Sequence, residues 1–406
     1  MRHKFIITLF LGIFILLTGC GNQEIVAPET GDMSGQKIAA QPGEMQYFDQ
    51  TSETFSFPEI GGALRVMTRN IYLGFDVDVV LGAPNPADIP VLVAEAYQML
   101  LSTDFPARAK AIAREIYKTR PHLIGLQEVA TIRIQSPGDA ILGGTVPAEK
   151  VLYNYLDILM AALENYGLHY KVAGIIQNAD VELPMLVSRT PPAFDDVRLT
   201  DHDVVLARED VDISNVMAEN YQARLIVPEV GIQIPRGFVA VDARTGGKKY
   251  RFVTTHLEPA PNELILQIQL AQAGELAASL AEEKLPIVML GDFNSPAPTG
   301  ATYQFFESQG FIDTWTHNLL KYNPNGYTCC FTPDLRNPEI TLSERIDIVY
   351  VRKKSLFGGG QFIGPVISVV VGDELRDRTP SGLWPSDHAG VAARLQIPQF
   401  PVWTLR

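Results

Sequence analysis

Apolar positions along the chain change period several times, and the changes mark out elements. "ALRVMTRNIYLG" (63–74) reads as a strand, and "ARAKAIAREIYKTR" (107–120) as a helix. In the helix Ala109, Ile112, Ala113 and Ile116 fall on one face, and Pro121 stops it. "HLIGLQEV" (122–129) is a short buried strand. A second helix is expected over 147–167, with Leu152, Leu156, Leu159 and Leu163 in one stripe and Gly167 at its end. Strands follow at 168–176 and 203–210, with a hairpin-like stretch at 221–243 and another strand at 248–259. A long helix at 262–284 leads into "LPIVMLGDFNSPAP" (285–298), and "ERIDIVYVR" (344–352) and "DHAGVAARLQI" (387–397) close the series. Strands and helices alternate early, but later strands lie side by side. That order fits mixed sheets covered by helices better than one parallel sheet. Residues 75–106 contain a helix and read as an insertion between the first strand and the first long helix. Val79–Leu101 within it suits a packed helix better than an amphipathic lid.

The first sixty residues follow different rules. Arg2 and Lys4 precede an apolar run, Phe5 to Leu17, that is short for a bilayer span. Leu17-Thr18-Gly19-Cys20 comes next. A basic start, a short apolar core and small residues at a cut site describe an export signal. The cysteine in that place resembles a bacterial lipoprotein signal, with residues 1–19 removed and Cys20 carrying the lipid. An ordinary secretory signal is the alternative. Residues 20–60 are polar and broken by Gly and Pro, as a tether is. The folded body is then 61–400, one domain with no second linker and no internal repeat. The expected place is the bacterial cell envelope, on the periplasmic or extracellular side, held to the membrane by the lipid anchor.

Charge narrows the partners. The 406 residues carry a formal net charge of −13, and losing Arg2 and Lys4 with the signal makes it −15. Such a chain is not built to wrap a polyanion. This argues only weakly against a nuclease, whose site can be local and metal-assisted. Two cysteines remain, Cys329 and Cys330, adjacent in sequence. Two thiols or a strained vicinal disulfide are both open, and a soft-metal pair lacks further ligands nearby.

The candidate chemistry sits at strand ends. Asn70 ends the first strand and Glu128 the second. His256 ends "RFVTTH", Asp292 and Asn294 end "IVMLGDFN", Asp347 interrupts "RIDIVYV", and Asp387-His388 open the last strand. Residues i and i+2 of a strand share a face, so Asp292 and Asn294 can reach into one site. Carboxylates and an asparagine oxygen are hard ligands suited to Mg²⁺ or Mn²⁺. Histidines contact phosphate or move protons. Together they describe metal-assisted hydrolysis of a phosphate ester. Each has a plainer reading alone: Asn70 or Asp292 as a turn former, Glu128 as a cap, His256 as a satisfied core histidine, Asp347 as a partner of Arg345. Those readings do not explain why so many strand ends carry such residues. His3, His122, His169, His202 and His317 lack comparable company and read as structural or exposed. The glycine-rich "KSLFGGGQFIG" (354–364) has no phosphate-loop lysine after it and reads as a loop.

"MTRNIYLG", "LIGLQEV", "TTHLEP", "MLGDFNS", "SERIDIVYV" and "PSDHAG" occur in an order that resembles the endonuclease/exonuclease/phosphatase superfamily over about residues 63–397. Pancreatic-type deoxyribonucleases, abasic-site endonucleases, inositol-polyphosphate phosphatases and bacterial sphingomyelinases are members. The resemblance implies a four-layer α/β sandwich: two packed mixed sheets with helices outside. It also implies roles. Glu128 is the main metal ligand, with Asn70 and Asp387 near the same ion. Asp292 orients or deprotonates the attacking water, and Asn294 steadies phosphate and nucleophile. His388 contacts the phosphate, held by Asp347, and His256 is the second phosphate-contacting histidine. Asp203 falls near the place of the carboxylate that stands behind this histidine in the nucleases. The arginines that grip DNA in those nucleases are not evident, since Ala130 follows Glu128-Val129. The expected function is a Mg²⁺-dependent phosphoesterase, acting as a monomer. Its substrate is left between nucleic acid, phospholipid or sphingomyelin, and sugar or inositol phosphate. A non-catalytic binding lipoprotein on the same fold is the reading from another class.

Overall fold

The computed structural model describes residues 62–398 except 228–230, 321–322 and 353–362. The signal, Cys20 and the tether to residue 60 lie outside the described residues, as does most of the glycine-rich loop. The chain runs β1 (Leu64–Asn70), α1 (Asp78–Leu81), α2 (Ile89–Ser102), α3 (Phe105–Thr119), β2 (Leu123–Gln127), β3 (Thr131–Gln135), β4 (Lys150–Asn154), α4 (Tyr155–Asn165), β5 (Tyr170–Arg189) and β6 (Pro192–Arg208). It continues through β7 (Asp212–Asn220), β8 (Leu225–Val227), β9 (Ile232–Ile234), β10 (Gly237–Thr245), β11 (Lys248–His256), α5 (Glu263–Ser279), β12 (Ile287–Asp292), α6 (Ala301–Ser308), β13 (Ile312–Asp313), β14 (Asp347–Arg352), β15 (Val366–Val371) and β16 (Gly390–Leu395).

One sheet has the order β15-β16-β1-β2-β6-β3-β4, with β5 paired along β6; the other is β13-β14-β12-β11-β10-β7. Both are mixed: β1–β2 and β11–β12 are parallel and their other pairs antiparallel. The inner faces meet through Val66, Leu123 and Val205 on one side and Val239, Phe252 and Leu290 on the other. Outside the first sheet α3 and α4 pack through Ile112, Ile116, Leu159 and Leu163. Outside the second, α5 and α6 pack through Ala273, Leu276 and Phe306. This is the four-layer sandwich that the sequence implies. Burying apolar faces on both sides of each sheet is what makes its central strands continuous apolar runs.

The two sheets approach closely at Gly125 of β2. A Cβ on Gly125 would stand 2.3 Å from Thr254 Oγ1. There the interface turns polar and satisfied: Thr68 Oγ1 donates to Gln127 Oε1 at 3.2 Å, and Gln127 Nε2 donates to Thr254 Oγ1 at 2.9 Å. A buried polar group without a partner costs about 1–3 kcal/mol, so this ladder ties β1, β2 and β11 in one register.

Several elements differ from expectation. The helix read over 147–167 begins only at Tyr155, because Asn154 caps it by accepting from Asp157 N at 3.3 Å. The residues before it form β4, whose Val151 pairs with Arg133 of β3. Strand 168–176 runs on to Arg189 and returns as β6 from Pro192, a long hairpin that mixed polarity and Pro184 conceal. The insertion 75–106 is packed rather than lid-like, with Val80, Ile89 and Val93 against Met185 of β5.

Candidate active site

On the first sheet the site starts where β1 and β2 end side by side, Asn70 opposite Gln127. The next residue, Glu128, takes the left-handed backbone conformation, with φ 60°. Non-glycine residues seldom sit there, and where they do the surroundings hold them for a reason. The turn swings its carboxylate back to the strand ends. One oxygen accepts from Asn70 Nδ2 at 2.9 Å and the other from the backbone N–H of Leu73 at 2.8 Å. Asn70 Nδ2 also reaches Asp292 Oδ2 at 3.2 Å, and Asn70 Oδ1 accepts from Tyr72 N at 3.0 Å. A single carboxamide therefore joins carboxylates from the two sheets. Burial, and then the charge of Asp387, push the Glu128 carboxyl up to about 7.

On the second sheet, register does the positioning. His256 pairs with Asp292, and Asp292 pairs with Asp347, so three strands present one row at one end. Gly291 permits this row. Its φ is 152°, and a Cβ there would stand 1.9 Å from Thr255 O. Past the strand Asn294 again has positive φ, 48°, and its N–H donates to Asp292 Oδ1 at 2.9 Å. Asn294 Nδ2 donates to Leu257 O at 2.9 Å and lies 3.1 Å from His256 Nε2. Burial and the neighbouring Asp347 raise the Asp292 carboxyl to about 7.

The two histidines are tuned in opposite directions. Arg236 Nη1 lies 3.1 Å from His256 Nδ1. A guanidinium only donates, so Nδ1 accepts from Arg236, and a second donor, Asn294 Nδ2, faces Nε2. That atom faces Asp292 Oδ2 at 3.5 Å. Burial, Arg236 and His388 hold His256 well below its ordinary pKa, so it is neutral. His388 Nδ1 lies 2.9 Å from Asp347 Oδ2 and 3.9 Å from Asp292 Oδ2. Burial opposes its charge, but Asp347, Asp292 and Asp387 outweigh it and raise the pKa well above the ordinary value.

His388 is also held from behind. Its backbone oxygen accepts from Arg69 Nη1, and Arg69 is bound to Glu115 of α3 through contacts of 3.0 and 3.1 Å. Ser386 Oγ donates to Asn70 O at 2.8 Å and accepts from His388 N at 3.2 Å. Arg108, also on α3, donates to Ile71 O at 2.7 Å and to Pro385 O at 3.1 Å. Arg69 of β1, tied to α3 through Glu115, and Arg108 of α3 thus fix the segments that carry Asn70 and Asp387-His388. Cys329 and Cys330 are bonded to each other, and the Cys329 backbone bridges both His388 and Glu344.

Asn70, Glu128, His256, Asp292, Asn294, Asp347, Asp387 and His388 therefore converge on one rim. Asp203 does not join them as expected. It is fully buried on β6, neither of its oxygens has a hydrogen-bond partner among the described residues, and the ring nitrogen it was to hold is taken by Arg236. Burial, then Asp201, push its carboxyl well above the usual range, as suits a neutral acid. Arg236 escaped the reading because "PRGFVAV" looks like any strand start. Arg69 and Arg108 are not singled out, since nothing local in a strand or helix pattern marks a buried arginine. For Gln127 the signal is a polar residue beside Glu128 directly after the apolar "HLIGL".

The donor set suits a divalent cation. Glu128 and Asp387 are hard oxygen ligands whose pKa values are both raised, first by burial. Closely spaced buried carboxylates of this kind are stabilised by a cation between them. Asp292, Asp347 and His388 also lie close enough together to share an ion, but the His388–Asp347 hydrogen bond engages the ring nitrogen.

No curated protein matches the sequence significantly. Among solved structures, the chain is similar to an endonuclease/exonuclease/phosphatase from Beutenbergia cavernae, with 19% identity, TM-score 0.51, and coverage of 84% of this chain and 73% of that one. It is also similar to a mannosyl-6-phosphatase from Bacteroides thetaiotaomicron, with 16% identity, TM-score 0.49, and coverage of 82% and 100%. A truncated TDP2 from Caenorhabditis elegans gives 16% identity, TM-score 0.45, and coverage of 82% and 97%. The first of these supports the fold. The model of the Endonuclease/Exonuclease/phosphatase family matches residues 99–388, from α2 to the histidine of the rim, and on that match this chain belongs to the family, whose members are phosphoesterases that generally use divalent metals.

Proposed function

We propose that the protein is a Mg²⁺- or Mn²⁺-dependent phosphoric ester hydrolase in which water attacks phosphorus in line. The observation that carries this reading is the Asn70 bridge, which brings the ligand-type Glu128 of one sheet and the base-type Asp292 of the other onto one side chain, at 2.9 and 3.2 Å. Asp292, with its carboxyl near 7, takes the proton of the attacking water at neutral pH. Neutral His256, with Asn294 beside it, contacts a non-bridging phosphate oxygen. Charged His388 stabilises the negative charge that grows at the phosphate, and Asp347 fixes its Nδ1. Glu128 and Asp387, with Asn70 alongside, would hold the divalent cation, which supplies Lewis-acid charge to the phosphate.

The test uses the full chain with Mg²⁺, Mn²⁺ or EDTA against bis-p-nitrophenyl phosphate, p-nitrophenyl phosphate, plasmid DNA, sphingomyelin and inositol phosphates. Metal-dependent cleavage of one class, reduced at least a hundredfold in Glu128→Ala, is the expected result. Unchanged metal-dependent activity in that variant would refute the site. A folded protein that binds Mg²⁺ and cleaves none of these esters would favour a binding protein on this fold.

The accompanying proposal is a place in the cell envelope, with Cys20 lipidated after loss of residues 1–19. It rests on the run from Arg2 to Cys20. Cys20→Ala should move the protein from the membrane fraction to the soluble one and abolish labelling by a fatty-acid analogue; persistence of both would exclude the anchor.

A further inference from the structure

A cavity of about 170 Å³ opens beside the catalytic row. Its walls are elements that the phosphate chemistry does not use. The insertion contributes Phe75, Val80 and Tyr97, and the extended β5–β6 hairpin contributes Val181, Leu183 and Leu199. The small β8–β9 ribbon closes a third side with Leu225 and Ile234. Apart from four charged groups, Asp78, Asp201, Arg236 and Glu258, the lining is almost wholly hydrocarbon and aromatic. For scale, an apolar cavity of roughly 150 Å³ stays dry and binds benzene.

The polar end ties the cavity to the site in two places. Arg236 lines it, and the same guanidinium sits 3.1 Å from His256 Nδ1 and 3.3 Å from Glu258 Oε2, with Asp201 Oδ2 at 3.8 Å. Leu73 lines it too, and its backbone N–H holds the Glu128 carboxylate at 2.8 Å. One link leads to the histidine side of the rim and the other to the carboxylate side. A group lying in the cavity therefore lies against both halves of the site. Arg236 is engaged with Asp201 and Glu258 and also acts electrostatically on Asp78, so the cavity has few polar groups to offer a sugar or a nucleobase. It offers apolar area.

We propose that this cavity is a substrate subsite for an apolar hydrocarbon substituent, so that the substrate is a phosphoester bearing an alkyl or similar hydrocarbon group rather than a sugar phosphate or a nucleotide. The inference rests on the phosphoesterase reading above. Arg236 is the joint: it closes the apolar compartment with charge and turns His256 toward the phosphate.

The test is a homologous series of alkyl p-nitrophenyl phosphodiesters, with methyl, butyl and octyl groups, kept below their micellar concentrations and hydrolysed by the full chain with Mg²⁺. Burial of the added methylenes should raise kcat/KM by about tenfold or more from methyl to butyl. The rise should level off once the cavity is full. Ala96 and Val181 line the cavity. Filling it in Ala96→Phe, or independently in Val181→Phe should the first not fold, should bring the octyl-to-methyl ratio close to one. A parallel calorimetric series with methyl-, butyl- and octylphosphonate reads binding without turnover and should show the same ranking. Hydrolysis with a ratio near one in the unmodified protein overturns the subsite and leaves the phosphoesterase reading intact. A chain-length ranking that both fillings leave unchanged also overturns it, by placing the hydrocarbon elsewhere. Chain-length-dependent phosphonate binding with no hydrolysis of any ester overturns the phosphoesterase reading instead and leaves a hydrocarbon site.

Discussion

The catalytic rim and the neighbouring cavity share Arg236 and Leu73 but are built in opposite ways. The rim is assembled from strand ends whose register is fixed by a shared inner core and by the Thr68–Gln127–Thr254 ladder. Its side chains are buried or half-buried and hydrogen-bonded, and two of its residues, Glu128 and Asn294, are held in left-handed turns. The cavity is assembled from an insertion, one long hairpin whose β6 arm runs through the first sheet, and a two-stranded ribbon. Its walls present mostly apolar side chains, closed by the Arg236 ion pairs. The difference separates what reaction is possible from what molecule undergoes it. Chemistry needs geometry to tenths of an ångström, which rigid strand ends supply. Selection of a substituent needs mostly volume and apolar area, which peripheral elements can vary without disturbing the rim.

That division can be broken first at Asp292. Asp292→Asn keeps the shape but removes the base, and kcat should fall about 10²–10⁴-fold with little change in thermal midpoint. Retention of kcat within about tenfold in a folded Asp292→Asn variant would place the base elsewhere.

The shared joint comes next. Arg236→Met leaves Glu258 and Asp201 buried without their cation, and breaking such a pair costs about 3–5 kcal/mol. Urea unfolding measures it. Arg236 also lowers the pKa of His256, so the His256 titration followed by NMR should move upward in the variant. A His256 titration that stays in place would separate the cavity from the rim.

Away from both regions, His122 accepts from Arg65 N at 2.9 Å, and burial, Arg208 and Arg65 lower its pKa to about 4. The unfolded chain then binds a proton that the folded chain refuses between about pH 6.5 and 4. Stability should rise with pH through this window and fall as pH drops through it. The slope should be shallower in His122→Gln, provided that variant folds. The same slope in both proteins would remove His122 from the account.

The smallest effect is expected at the cysteines. Reduction of the Cys329–Cys330 bond, or Cys330→Ser, should change kcat severalfold at most, through the backbone bridge from Cys329 to His388. A rate that ignores both reductant and substitution would show the bridge to be indifferent to the sulfur chemistry.

Several parts of the site were legible because a polar residue at the end of an apolar run is conspicuous. Glu128 after "LIGLQ", His256 after "RFVTT" and Asp292 after "IVML" each break a pattern that core packing explains. The long hairpin was not legible. Its outer halves alternate weakly, carry Pro184, and gain strand character from pairing with each other. The partner of His256 was not legible either. Asp203 had the expected place in sequence, but β6 keeps it buried away from the ring, while Arg236 arrives from the start of β10.

The sequence alone determined the strand and helix periods, the family resemblance, and the types of chemical group that end the strands, because each is a local property or an ordered set of local properties. Tertiary structure decided which carboxylates share one asparagine, which histidine is neutral and which is charged, and that an insertion and a hairpin enclose an apolar cavity against them. Those depend on burial and on contacts between residues such as Asn70 and Asp292, 222 positions apart, and the free energy of a buried charge is set by what surrounds it in space.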